Sequence, residues 1–188
     1  MKIKVKTRLC LIFTVCLVAC FIMPLTAGSD QQIKIPDYST MERKEIPMEY
    51  TWKIDDIYAT MADWQKDKED FLQMIERIDG LAENWTSSPQ KMLAMFEFRD
   101  EMLKKDFRLF AYASHQNNVD MENPTFQAMK GELQAAMVKA QTRLSFMETD
   151  ILKLGKETFD NYIKTEPRLK PYQFGCEDIF RKAKHILP

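Results

Sequence analysis

Glycine is scarce in this 188-residue sequence, at 5 positions, and histidine is scarcer still, at 2. Few glycines leave few places where the backbone can take a positive φ, which argues against hairpin-rich β folds and glycine-loop phosphate cradles. An excess of positive charge is also missing. With 27 Lys+Arg against 28 Asp+Glu, the chain lacks the basic surface that displaces counterions from a nucleic acid, and no nucleic-acid partner is expected. Of 4 cysteines, Cys10, Cys16 and Cys20 fall near the N-terminus, leaving Cys176 alone in the remainder. One thiol closes no internal disulfide and has no cysteine partners for a metal. Nothing near Cys176 in sequence would lower its pKa, so it reads as a small apolar helix residue rather than a reactive thiol. What remains is a helical chain, 45% apolar and carrying 13 methionines.

The charge balance is uneven along the chain. Lys2, Lys4, Lys6 and Arg8 precede any acid, so the sequence beyond residue 29 holds 23 bases against 28 acids. After the basic stretch comes an apolar run of 17 residues, Leu9 to Leu25, and then Thr26-Ala27-Gly28-Ser29. This order is that of a secretory signal, and residues 1–28 are set aside from the fold. Three processing schemes stay open. Leu17-Val18-Ala19-Cys20 matches a bacterial lipobox, which would make Cys20 an acylated first residue and attach the protein to a membrane through its N-terminus. Cleavage near Ala27–Ser29 would release it, and an uncleaved run would act as an anchor, although spanning a bilayer takes about 20 apolar residues. Each scheme places the remainder outside the cytoplasm, in the cell envelope, the periplasm or the extracellular space.

Residues 29–42 are polar and without periodicity, the mark of a flexible tether, and proline-marked extended character persists to about Tyr50. Thr51 to Tyr58 concentrates aromatic and branched residues, as an anchoring strand or single turn would. Thr60 is placed to cap a helix, with Asp63 in the reciprocal position, and Trp64, Phe71, Leu72, Ile75 and Ile78 keep helical spacing up to Gly80, a natural stop. Ser88-Pro89 starts a long aromatic helix reaching about His115, and Asn123-Pro124 repeats the signal. Phe126, Met129, Leu133, Met137, Ala140, Leu144 and Met147 then step by three and four along a bundle seam as far as Gly155. A short helix at Lys156–Thr165 and a last segment from about Arg168 follow. The expected fold is all-α: an up-and-down antiparallel helical bundle with two long central helices. The methionines share the stripe of Leu and Phe, so they read as core.

Chemistry is hard to find in this pattern. Helix-borne zinc hydrolysis needs two imidazoles one turn apart and a carboxylate, the His-Glu-x-x-His spacing. Neither His115 nor His185 has it, and both are expected to be structural or surface residues. There is no Gly-x-Ser-x-Gly elbow. Asp55-Asp56 and Asp67/Glu69/Asp70 lie in charged helical contexts where solvation is the ordinary explanation. No catalytic residue, metal ligand or cofactor site is assigned to the chain, and Cys20 is the one candidate modification site.

A resemblance adds to this reading. Arg43-Lys-Glu-Ile-Pro-Met-Glu-Tyr-Thr-Trp-Lys-Ile-Asp-Asp-Ile-Tyr58 and the Asp63-Trp64 pair resemble the opening of the oligoendopeptidase F family of zinc metallopeptidases. The likeness continues at Arg108-Leu-Phe-Ala-Tyr-Ala113, at Asp120-x-x-Asn123-x-x-x-Gln127, and at Tyr172 with Arg181-x-x-x-His185-x-Leu187. Together these pieces cover residues 43–188. The resemblance implies the N-terminal helical domain of a larger enzyme, a lobe that helps wall a substrate channel. Family activity is hydrolysis of short peptides by a zinc held in His-Glu-x-x-His, and this sequence ends before that motif would appear. None of the family's ligands is therefore carried over, and His185 is not read as one.

Two functions are expected from this. One is a truncated or partial copy of an exported oligoendopeptidase, inactive without its missing catalytic domain. The other is a freestanding exported helical module that binds peptides or another protein.

Overall fold

The computed structural model describes residues 36–183, in two units that divide between Thr51 and Trp52. Within the first unit, single 3-10 turns form at Arg43–Glu45 and Met48–Tyr50, and the Tyr38 and Tyr50 rings lie 5.1 Å apart. The second unit opens with a 3-10 turn at Ile54–Asp56, so the segment expected as a strand or a turn is a turn. Six α-helices follow: α1 Met61–Ala82, α2 Pro89–Val119, α3 Pro124–Leu144, α4 Phe146–Leu154, α5 Lys156–Thr165 and α6 Gln173–Lys182, with a 3-10 helix at Pro167–Tyr172 before α6. No strand occurs among the described residues, and the all-α expectation is met. No described helix is long and apolar enough to cross a membrane. The leader, Cys20 and His185 lie outside the described residues.

The helices begin where local chemistry starts them. Thr60, Ser88 and Asn123 each accept a backbone N–H from the first turn of α1, α2 and α3. Such a cap satisfies one of the donors that a helix start leaves unpaired. Pro89 and Pro124 open α2 and α3, where the missing N–H costs nothing. Asp63 returns its carboxylate to the Thr60 hydroxyl at 2.7 Å rather than to the Thr60 backbone.

Three long helices, of 22, 31 and 21 residues, make the body, where the sequence pattern suggested two. Contacts fix their directions. Trp64 and Asp67 of α1 meet Leu109 and Lys105 of α2, an antiparallel match. Lys68 meets Glu132 and Glu76 meets Lys139 and Arg143, so α1 and α3 run parallel. The topology is up-down-up. The short helices α4 to α6 then gather around the first half of α2. There the Trp85 indole N–H donates to Asp150 at 3.1 Å and the Tyr162 hydroxyl to the Thr86 carbonyl at 3.0 Å, tying the α1–α2 connection to α4 and α5. Phe71, Ile75, Ile78, Met92, Leu109, Phe159 and Leu169 have no measurable exposure. Met92, Met95 and Met102 share that core, in line with their apolar stripe.

Two boundaries differ from the sequence pattern. Gly80 does not stop α1, which runs to Ala82; the positive φ falls on Asn84 instead, at 53°, and Asn tolerates that region better than most residues. The seam of α3 breaks at Ser145, so Met147 belongs to α4, while Gly155 takes φ 80° between α4 and α5. A Cβ added at Gly80 or Gly131, both inside helices, meets nothing within 4 Å. Replacing either by Ala should raise stability by about 0.5–1 kcal/mol through lost unfolded-state freedom. Gly155→Ala should lower it. Thermal melts of the three variants check both signs.

Candidate functional site

The densest polar arrangement is built where the chain enters α1. Arg108 reaches across from α2 and donates two N–H groups, Nε at 3.2 Å and Nη2 at 2.8 Å, to the Ile57 carbonyl. Its guanidinium lies 4.3 Å from the centre of the Tyr58 ring, a cation–π contact. The Tyr58 hydroxyl donates to Asp67, which Lys105 also holds, and Lys105 lies 3.7 Å from Asp70. Beneath these groups the Tyr58 ring meets Tyr112 edge-on at 5.5 Å, and Trp64 stacks on Tyr112 at 6.5 Å. The Trp64 indole N–H donates to the Leu109 carbonyl at 3.1 Å. Beside the cluster is an open groove of about 440 Å³ lined by Tyr58, Ala59, Asp63, Lys66, Asp67, Asp70 and Arg108.

Burial pushes the Tyr58 phenol well above its ordinary pKa, and the adjacent Asp67 carboxylate adds to the shift. Burial also pushes Asp67 up. Hydrogen bonds from Lys105 and Tyr58 and the charges of Lys105 and Arg108 outweigh it, so the carboxyl is held below its usual range. The groups thus hold one another in their resting states, Tyr58 neutral and Asp67 ionised. Sequence pattern left Asp67 among solvated carboxylates; the missing signal was tertiary, since Lys105 lies 38 positions away.

A second cluster joins α2 to the 3-10 helix before α6. Phe96 stacks on Tyr172 with centroids 4.5 Å apart, and the Tyr172 hydroxyl donates to Asp100 at 2.8 Å. Arg99 donates to the same carboxylate, and its guanidinium lies 5.2 Å from Phe96 and 5.8 Å from Tyr172. Burial and the bond to Asp100 push the Tyr172 hydroxyl up to about 12. Cys176 lines the adjoining groove of about 320 Å³. It is buried, and burial pushes its thiol up to about 11, the state of an inert rather than a nucleophilic cysteine.

The α2–α3 connection is organised in the same way. Asn123 caps α3, and the Gln127 side-chain amide donates to the Met121 carbonyl at 2.6 Å. His115 stands edge-on to Trp52 with centroids 4.5 Å apart, and its Nδ1 is buried without a hydrogen-bond partner among the described residues. No group of three or more His, Cys, Asp or Glu side chains among the described residues could hold a metal ion. The described residues therefore do not fit the zinc of the family that the sequence resembles.

Residues 150–188 match the family model described as Oligopeptidase F. The chain is 24% identical over 145 residues to the Group B oligopeptidase PepB of Streptococcus agalactiae, covering 77% of this chain and 24% of that protein. It is 28% identical over 148 residues to the plasmid oligoendopeptidase F of Lactococcus lactis subsp. cremoris, with coverage of 77% and 24%. These matches support an N-terminal region of an oligoendopeptidase F family protein. Oligopeptidase PepF of Bacillus subtilis is 20% identical over 146 residues, 78% of this chain and 22% of that one. The chain thus spans about a quarter of the length of these relatives. Its fold is that of part of the oligoendopeptidase F crystal structure from Enterococcus faecium, with a TM-score of 0.60, 20% identity, and coverage of 68% of this chain and 25% of that one.

The oligoendopeptidase F-like stretches are far apart in sequence, yet the fold brings several together. Ile57-Tyr58, Asp63-Trp64 and Arg108 to Ala113 form the first cluster, Asn123 and Gln127 the turn, and Tyr172 the second cluster. Their visible work is to join helices. Asp67→Asn should destabilise the body at neutral pH by about 1–3 kcal/mol, since it weakens a half-buried charge-assisted pair. The folded-state pKa of Asp67 is lowered, so its contribution is complete above the ordinary carboxyl value and fades as pH falls through the lowered one. Urea denaturation should show the wild-type advantage at pH 7 shrinking below about pH 4.

Proposed function

We propose that residues 43–188 are the N-terminal, substrate-channel-forming helical lobe of an exported oligoendopeptidase F-like zinc metallopeptidase that hydrolyses short peptides. The observation that carries this reading is the convergence of the family-like stretches onto inter-helix clamps and one inter-helix turn, with no metal-binding group among the described residues. A lobe of this kind supplies shape. It positions a wall for the substrate, while zinc, held by residues outside this sequence, would polarise the scissile carbonyl and activate water. The chain by itself is inactive in this reading, because its only histidines, His115 and His185, are not spaced as ligands.

The test is a quenched fluorescent peptide incubated with purified residues 30–188 in the presence of zinc. The expected rate equals that of a mock preparation. Cleavage that a chelator abolishes and the mock preparation lacks would overturn the assignment of the chemistry to another part of the enzyme.

Export rests on the basic stretch, the apolar run Leu9 to Leu25 and the small residues after it. Acylation at Cys20 would tether the lobe to a membrane surface, whereas cleavage near Ala27–Ser29 would free it. Mass spectrometry of the mature N-terminus distinguishes the two: a lipid-bearing Cys20, or a free start between Gly28 and Asp30. Recovery of an intact Met1 from the envelope fraction would leave the retained anchor as the working form.

A further inference from the structure

Asp106 sits in the middle of the face that α2 turns into the body. It is 6% exposed, and its same-face neighbours Met102, Leu109 and Ala113 are at 1%, 0% and 0%. A carboxylate in such a place ordinarily has a cation or several donors beside it. Asp106 has neither a hydrogen bond nor an ion pair to another described residue, and burial alone pushes its carboxyl up, to about 6.

Several charges on the surrounding elements are committed elsewhere. In α1, Asp67 and Asp70 go to Lys105; in α3, Glu132 goes to Lys68, and Lys139 and Arg143 go to Glu76. Arg168 of the 3-10 helix goes to Glu166 and Glu97, and Lys156 of α5 to Asp160. Lys130 of α3, Asp55 of the first turn of this unit, and Glu157 and Lys164 of α5 make no ion pair with Asp106.

We propose that Asp106 makes the packing of α2 a pH-responsive joint: the neutral carboxyl seats among apolar neighbours, and its ionisation loosens α2 from the helices around it. The direction follows from linkage. The folded protein holds the proton more tightly than the unfolded chain does, so stability is lost as pH rises towards and through the folded-state value. Between about pH 5 and about pH 7.5 the folding constant should fall about tenfold on this account.

Urea denaturation of the wild type and Asp106→Asn across that range reads the effect. The wild-type constant is expected to fall about tenfold, while the variant, whose amide cannot ionise, stays level. Every other residue is common to both proteins, so contributions from elsewhere in the chain cancel in the comparison. An equal fall in both would overturn the proposal. Two measurements extend the test. The carboxyl carbon resonance of Asp106 in the unaltered protein should titrate near the folded-state value, and titration in the ordinary carboxyl range would overturn the proposal even if the variant failed to fold. Amide exchange across residues 102–113, corrected for its intrinsic pH dependence, should accelerate towards pH 7.5 in the wild type. Unchanged protection there would overturn the joint.

Discussion

Everything described after residue 52 depends on covering α2. At 31 residues it is about 46 Å long, and its buried residues run from Met92 to Ala113. A helix of that character is not stable in water alone; most of its stability comes from packing its apolar face. Antiparallel α1 runs along it from the Trp64–Leu109 bond to the Arg77–Phe98 contact, α3 packs beside both, and the short helices with their 3-10 connector add to the first half, where Phe96 and Tyr172 stack. Aromatic and arginine side chains secure the joins, because a guanidinium can lie on a ring face and still donate to a carbonyl or carboxylate. Arg108 and Arg99 each do both.

Local signals proved reliable where the physics is local. Ser88-Pro89 and Asn123-Pro124 announced the starts of α2 and α3 within the chain itself, since a cap and a proline act on the nearest backbone donors. Gly80 misled for the same reason seen from the other side. A glycine permits a helix to end but does not require it, and the burial of Ile78 with the packing of Leu81 carries α1 on to Ala82, short of the positive φ at Asn84. The seam drawn through Phe126 and Met147 was also right about which residues are apolar and wrong about continuity. Ser145 keeps helical torsions while ending α3, a break that hydrophobic spacing does not register.

The clusters were less legible. Family likeness picked out Tyr58, Trp64, Arg108, Tyr112, Gln127 and Tyr172, but not their meetings, and it passed over Asp67, Lys105, Arg99 and Asp100, which complete the clusters. Ion pairing over tens of residues leaves no periodic trace in sequence. Asp106 is a different case. Its spacing from Met102, Leu109 and Ala113 puts it on the apolar stripe of α2, so a carboxylate at a core position could have been read directly. Cys176 shows the reverse: an isolated thiol without motif partners was expected to be inert, and its burial agrees.

The up-down-up order also gives the body an electrical axis. With α1 and α3 parallel and α2 opposed, two helix dipoles point one way and one points back, leaving an uncancelled dipole. The end at which Thr60 and Asn123 start α1 and α3 therefore carries excess positive partial charge, and the end near Ala82 and Leu144 excess negative. Side chains lean against this gradient, with Asp63 in the first turn of α1 and Arg143 in the last turn of α3. Arg143 spans the negative end, donating to the Ile75 carbonyl at 2.9 Å and pairing with Glu76. One residue thus joins the parallel pair and offsets the field that their parallel arrangement creates.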